Sequence, residues 1–318
     1  MPANDFLALR EPLVTVLRAA GDIARATARG PFKRWTKGAD HSPVTEADIA
    51  VNEFLRDRLS DLVRDAGWKS EESPPDQPNR AVPLVWIVDP IDGTRAFISG
   101  SADWSISVAL AEHGRPLIAT IYAPIADEMF LALRGQGAWL NSVPIKASAG
   151  ATLAGARLAG PKRFLDRLSA INPGIVAQPK VHSLALRIAR VAHGALDAAF
   201  ASGGSHDWDL AAADLLVHEA GGALTDFAGR PLTYNGPEAT YGALIAAGPW
   251  LHVLTPAQTT TLIVAFGLVV QGWSVWKLRA AIRPWRLLPF VIGGAIGVPL
   301  GVELLRWLSP GALRLGTG

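Results

Sequence analysis

Between Val85 and Thr94 an uncharged apolar run passes directly into two carboxylates, Asp89 and Asp92, three positions apart, with Pro90 between them and Gly93-Thr94 behind. Val85, Trp86, Ile87 and Val88 read as a strand buried on both faces, because four consecutive apolar residues leave no polar side. Pro90 lacks the N–H that a ladder needs, so the strand is predicted to break there into a turn. Gly93-Thr94 then opens the next segment with free backbone amides. Acids at the mouth of a buried strand bind hard cations through oxygen, while amides beside them face a phosphate. Asp-Pro and Asp-Gly are also ordinary turn formers, so the motif gains meaning only from what accompanies it.

Composition narrows the ligand chemistry. The 318 residues include no cysteine, which excludes disulfides and thiolate metal sites and leaves carboxylates, carbonyls and histidine. Oxygen-ligated Mg²⁺ is the natural candidate. A formal charge of +2, with no dense basic run in the first 250 residues, gives no basis for binding a nucleic acid polymer. Met1 to Phe6 lacks the basic and apolar regions of a secretory signal, so the main domain is expected in the cytoplasm.

Along the chain, Leu7, Leu13, Val14, Leu17, Ala20, Ile23 and Ala24 recur at helical spacing over residues 5–30, and Gly30-Pro31 ends the run. A second helix is predicted after Thr45, a plausible N-cap, with Asp48 in its first turn and Ala50, Val51, Phe54 and Leu55 on one face. Residues 105–110, 117–122 and 128–133 read as three strands separated by turns, an antiparallel meander. Helices before and strands after, without βαβ alternation, place the first half among α+β layers. The Ala/Gly-rich stretch from Lys146 to Gly160 divides this first lobe, 1–148, from an α/β lobe, 149–252, with helices expected at 184–194 and 209–220. Residues 253–318 differ. Thr259 to Trp276 carries no charge, a connector bears Lys277, Arg279, Arg283 and Arg286, and a second apolar stretch runs from Leu287 to Leu305. Both stretches are near the lower length limit for a membrane span, so a hydrophobic helical tail associated with the membrane is expected.

Three segments belong together: Lys69-Ser70-Glu71-Glu72-Ser73, the Asp89-Pro90-Ile91-Asp92-Gly93-Thr94 motif, and His206-Asp207-Trp208-Asp209 leading to Glu219-Ala220-Gly221-Gly222. Taken singly, Asp209 reads as a helix N-cap, Asp48 as a first-turn acid and Glu71 as a loop charge. Jointly, over roughly residues 10–250, they resemble the inositol monophosphatase family of metal-dependent phosphomonoesterases. The resemblance implies a layered α/β/α/β/α sugar-phosphatase fold. It also implies metal ligation of two or three Mg²⁺ ions by Glu71, Asp89, the Ile91 carbonyl, Asp92 and Asp209, with Glu72 supporting Glu71. Thr94 and Asp48 would orient the attacking water, with Glu71 counted among the catalytic groups, and the substrate would lie against Ile91, Asp92, Gly93, Thr94 and Asp209.

The run from Lys37 to Asp48 and the sequence Asp92-Gly93-Thr94-Arg95-Ala96-Phe97 resemble the 3'(2'),5'-bisphosphate nucleotidase branch more than the inositol branch. Arg187 falls where such enzymes tend to place a basic residue, and could fork onto the uncleaved phosphate. Adenosine 3',5'-bisphosphate is the expected substrate, an inositol or sugar phosphate the alternative. A reading of another class, a sulfur-metabolite-binding module attached to a transporter, rests on the tail, which is similar to a fragment of a sulfite-exporter-like anion permease. The expected partners are a small phosphorylated metabolite and the inner membrane through the tail, with self-association as a homodimer left open.

Overall fold

The computed structural model describes residues 6–37, 42–73, 82–150, 153–236 and 240–249. The chain divides into two compact units, Met1–Gly267 and Leu268–Gly318, and the described residues all belong to the first. The two apolar stretches of the tail, their basic connector and the permease-like segment lie outside the described residues, as do residues 38–41 of the run from Lys37 to Asp48. Among the described residues no helix is long and apolar enough to cross a membrane.

Helix α1, Arg10–Ala28, buries Leu13, Leu17, Ala20, Gly21 and Ala24 along one stripe. Gly21 is required by closeness: a Cβ there would lie 2.4 Å from Tyr122 Cε1, so the helix backbone rests directly on the sheet beneath it. A hairpin of β1 (Arg34–Lys37) and β2 (Ser42–Thr45) leads into α2, Glu46–Leu62, whose buried positions Ala47, Val51, Leu55 and Leu59 recur every fourth residue. Thr45 is the N-cap as expected, and Asp48 reaches back to its amide at 2.8 Å, which fixes that acid in the first turn.

The first sheet has seven strands in the order β3 (Gly67–Ser70), β4 (Leu84–Asp92), β5 (Ser105–Glu112), β6 (Arg115–Ala123), β7 (Glu128–Leu133), β8 (Gly137–Leu140) and β9 (Val143–Ile145). β3 is parallel to β4 and every other pair is antiparallel, so the expected meander stands. Both faces are covered, which explains the unbroken apolar run at the start of β4. Trp86 and Val88 pack with α1 and α2, while Val85 and Ile87 pack with the helices of the following half.

A five-stranded sheet, ordered β11 (Val176–Ala177), β10 (Arg157–Ala159), β12 (Ala198–Ala201), β14 (Leu244–Ala247) and β13 (Ala223–Asp226), completes the core. Helix α4, Lys162–Ile171, lies between β10 and β11 in the chain. Helices α5, Leu184–Ala192, and α6, Asp207–Glu219, are sandwiched between the two sheets, giving the layered α+β arrangement. The last residue of α6, Glu219, has a structural task. Its carboxylate accepts from the amides of Gly135 and Gly137 at 2.8 and 2.9 Å and clips the β7–β8 turn to the helix. Gly221 ends α6 at φ +87°, and a Cβ on Gly222 would sit 2.5 Å from the Ala247 carbonyl, so both glycines of that motif are demanded by backbone geometry.

Candidate metal centre

In a regular strand, residues three apart point to opposite faces. Asp89 and Asp92 avoid this because β4 carries one extra residue: Asp89 pairs with Ser107 and Asp92 with Ser105, so three steps on β4 oppose two on β5. The strand therefore runs on past Pro90 to Asp92, where the sequence predicts a break at the proline. The missing N–H interrupts the ladder locally and pairing resumes after the bulge. Asp89 Oδ1 accepts from the Ile91 amide at 3.0 Å, and the Ile91 carbonyl accepts from Thr94 Oγ1 at 3.1 Å. Behind them Gly93, at φ +94°, starts the five-residue helix α3, Thr94–Ile98. A Cβ at Gly93 would meet the Asp103 carbonyl at 3.0 Å and the Ser183 amide at 3.1 Å, so this turn takes only glycine.

Asp209 arrives from the far half of the chain. It occupies the third position of α6 rather than the N-cap, and its Oδ2 accepts from the His206 amide at 2.7 Å. The helix starts two residues before the expected Asp209 because His206 takes the capping position. Oxygens of Asp89, Asp92 and Asp209 then lie within 4.8 Å of one another. Glu71, just past β3, is set by its own amide bonded to the Val88 carbonyl at 3.2 Å. Lys37 Nζ sits between the acidic pair, 3.2 Å from Glu71 Oε1 and 2.5 Å from Glu72 Oε1. Beside the cluster, Asp48 spends Oδ2 on the Thr45 amide and hydroxyl and turns Oδ1 to the Thr94 hydroxyl at 3.3 Å.

The electrostatics of this group are lopsided. Burial pushes Asp48 and Asp92 up to about 6 and Glu71 up to about 7. Asp89 is raised well above the usual carboxylate range by burial, then by Glu71, Asp92 and Asp209. Ser183 Oγ and the Ala185 amide, at the start of α5, both donate to Asp92 Oδ2 at 2.6 Å and offset only part of its burial. Burial opposes the Lys37 ammonium, but the carboxylates of Glu71 and Glu72 hold it above its ordinary value. One ammonium does not neutralise this many converging acids. The donor set, carboxylates plus the Ile91 carbonyl, is all oxygen, and it fits a hard divalent cation.

Glu71, Asp89, Ile91, Asp92, Asp209, Gly93, Thr94 and Asp48 thus converge on one place from four chain segments. Arg187 stands one turn into α5, half-buried, with Nη1 on the Val181 carbonyl at 3.3 Å and Nε buried without a hydrogen-bond partner. It lies in the field of Asp92, though its burial lowers its pKa. Sequence reasoning missed the roles of Lys37 and Ser183. A serine directly before an apolar helix was a visible capping signal for the latter, whereas nothing local tied Lys37 to Glu71. The rings of His206 and Trp208 stack 4.6 Å apart beside Asp209, an arrangement the spacing did not announce.

Comparison with known proteins agrees with this geometry. The profile of the inositol monophosphatase family matches residues 8–259. The chain is 30% identical over 211 residues to the 3'(2'),5'-bisphosphate nucleotidase CysQ of Escherichia coli (strain K12), spanning 63% of this chain and 83% of that one. It is 29% identical over 226 residues to the inositol-1-monophosphatase of Bacillus subtilis (strain 168), spanning 68% and 83%. The crystal structure of the extragenic suppressor protein SuhB from Bartonella henselae superposes with a TM-score of 0.68 at 27% identity, covering 81% of this chain and 98% of that one.

Proposed function

The chain belongs to the inositol monophosphatase family, and from that membership we propose that it is a Mg²⁺-dependent 3'(2'),5'-bisphosphate nucleotidase acting on adenosine 3',5'-bisphosphate. It is a phosphoric monoester hydrolase, and the finer assignment concerns its metal and its substrate. The observation that carries the reading is the convergence of Asp89, Asp92 and Asp209 within 4.8 Å, beside the Asp48–Thr94 hydrogen bond. In this reading Glu71, Asp89, the Ile91 carbonyl, Asp92 and Asp209 hold the metal. Bound there, Mg²⁺ supplies charge neutralisation for the phosphoryl oxygens and lowers the pKa of water.

The chain's own groups do the rest. With the Ile91 carbonyl given over to the metal, the one Thr94 hydroxyl proton turns from Ile91 O, at 3.1 Å, to Asp48 Oδ1, at 3.3 Å, and Thr94 Oγ1 presents a lone pair to a water, which it aligns with phosphorus while Asp48 takes up proton density through the hydroxyl. As the water oxygen bonds to phosphorus, the P–O ester bond breaks and the leaving oxygen gains a proton from solvent. The amides of Gly93 and Thr94 cradle the phosphate being cleaved. In the same reading Arg187, whose guanidinium lies in the field of Asp92, meets the phosphate that stays. The half-exposed His206–Trp208 stack beside Asp209 offers a flat surface that a purine can extend.

The similarity to CysQ supports the nucleotide, and that to the inositol-1-monophosphatase of B. subtilis supports the second reading, an inositol or sugar phosphate. A panel of phosphomonoesters with free-phosphate detection separates them. Higher kcat/KM for adenosine 3',5'-bisphosphate than for inositol 1-phosphate is expected, and the reverse order overturns the nucleotide assignment. For residues 253–318 we propose membrane association, expected as recovery of the full chain with inner membranes on fractionation. A purely binding role is disfavoured by the complete set of acids around Thr94.

A further inference from the structure

Two residues before Glu71 and two before Asp209 stand Lys69 and Asp207, and these join across 138 positions of sequence through a 2.6 Å contact from Lys69 Nζ to Asp207 Oδ2. We propose that this ion pair is a positioning clamp that sets the distance between Glu71 and Asp209, and thereby the metal affinity of the site. The inference rests on the reading of those acids as Mg²⁺ ligands.

The need for such a clamp follows from the fold. Among the described residues β3 is a four-residue edge strand hydrogen-bonded on one side, to β4, so backbone pairing alone gives Glu71 a weak footing. Glu71 follows immediately after the last residue of β3, two positions from Lys69, so a tether on Lys69 fixes the strand end from which Glu71 projects. On α6, Asp207 and Asp209 are separated by about 200° around the helix axis. Asp209 faces the acids while Asp207 faces away, toward β3 and the segment 233–241. The Asp207 carboxylate is held there on both oxygens. Oδ2 also accepts from the Asn235 amide at 2.7 Å, and Oδ1 shares the Tyr241 hydroxyl proton, at 2.7 Å, with the Thr233 carbonyl, also at 2.7 Å. Asp207 is 2% exposed, and the Lys69 side chain is 24% exposed. The helix end is thus pinned from behind at the residue adjoining Trp208-Asp209, and the strand end is pinned to the same carboxylate. A carboxylate in the first turn of α6 also suits the helix dipole. Groups that hold metal ligands in place typically govern affinity by about 10- to 100-fold.

The test is calorimetric titration of the metal-free full-length protein with Mg²⁺ alone, together with the Mg²⁺ dependence of phosphate release. Lys69→Met and Asp207→Asn are each expected to weaken Mg²⁺ binding about tenfold, with kcat largely recovered at saturating Mg²⁺. Lys69→Arg, which keeps the charge and reach, should bind Mg²⁺ within about threefold of the parent. The double variant Lys69→Met/Asp207→Asn should bind no more weakly than the worse single change. Glu219→Gln serves as the structural control, since it removes one of the two acceptors that clip the β7–β8 turn without adjoining any acid of the cluster. Unchanged Mg²⁺ affinity in both single variants, or an equal loss in Glu219→Gln, overturns the clamp. If the parent protein itself takes up no Mg²⁺, the metal reading of the site fails and the clamp fails with it, whereas binding by the parent with no change in the variants defeats the clamp alone.

Discussion

Asp89 and Asp207 are buried almost equally, at 1% and 2% exposure, yet their surroundings are opposite. Asp207 has a lysine ammonium, a backbone amide and a tyrosine hydroxyl on its two oxygens. Asp89 has its own-turn amide at Ile91, and burial, then the four carboxylates of Glu71, Asp92, Asp209 and Asp48, drive its pKa up. The first is a charge with a counter-charge supplied by the chain itself, the Lys69 ammonium. The second lacks a matching counter-charge among the described residues, which is what the proposed cation would supply. Burial by itself separates structural from functional acids poorly. What distinguishes them is whether the protein supplies the counter-charge.

That contrast can be broken most forcefully at Asp92. Asp92→Asn removes one of the convergent charges, and phosphate release is expected to fall by about a thousandfold or more. Turnover in excess EDTA equal to that with Mg²⁺ would show that the uncompensated acids are not waiting for a metal at all. Thr94→Ala comes next. It should lower kcat by about a hundredfold, in the range of lost proton-transfer assistance, while calorimetry finds Mg²⁺ affinity near that of the parent. An affinity loss as complete as in Asp89→Asn would merge the water-orienting and metal-holding roles. Arg187→Ala is expected to raise KM for adenosine 3',5'-bisphosphate about tenfold and to leave inositol 1-phosphate nearly untouched. An equal effect on both substrates would make Arg187 a packing residue.

The smallest effect is on stability, and it tests the comparison directly. Asp48 and Asp92 keep their protons to about 6 and Glu71 to about 7 in the folded, metal-free chain, against ordinary values of 3.8 and 4.5. The folded state then binds more protons than the unfolded state between those limits, so this contribution is fully present below about pH 4 and is lost as pH rises through 6 to 7. In EDTA the melting temperature should therefore fall between pH 5 and pH 8, and Mg²⁺ should flatten the decline. Asp89→Asn should melt higher than the parent in EDTA at pH 8 although it is inactive, whereas Asp207→Asn should melt lower. A lower melting temperature for Asp89→Asn under those conditions would show that this charge, too, is compensated within the protein.

Much of the arrangement was legible because it is local. Thr45 and Asp48 announce the start of α2 within four residues, and their hydrogen bond also aims Asp48 at Thr94. The meander from Ser105 to Leu133 is written in alternating apolar runs and turn residues. The acidic motif at Asp89 to Thr94 was visible, but the strand was expected to stop at Pro90. An extra residue in a ladder leaves no periodic mark, and it is this bulge that turns both acids the same way. Asp209 reads as the start of α6 because an acid is a common cap, while the histidine that takes the capping position is not.

The sequence by itself determined which acids stand at strand ends and helix starts, and the family to which their order belongs. The places of the acids depend on residues within a turn or two of each other, where spacing maps directly onto geometry, and the family on the order of such local motifs along the chain. Only the tertiary structure decided how they are held: Ser183 on Asp92 across 91 positions, Lys37 on Glu71 and Glu72, and Lys69 on Asp207 across 138. Each of these joins one lone polar residue to another through space. A single distant pair has no period and no composition, so it comes into being only when packed sheets and helices bring the two ends within hydrogen-bond reach.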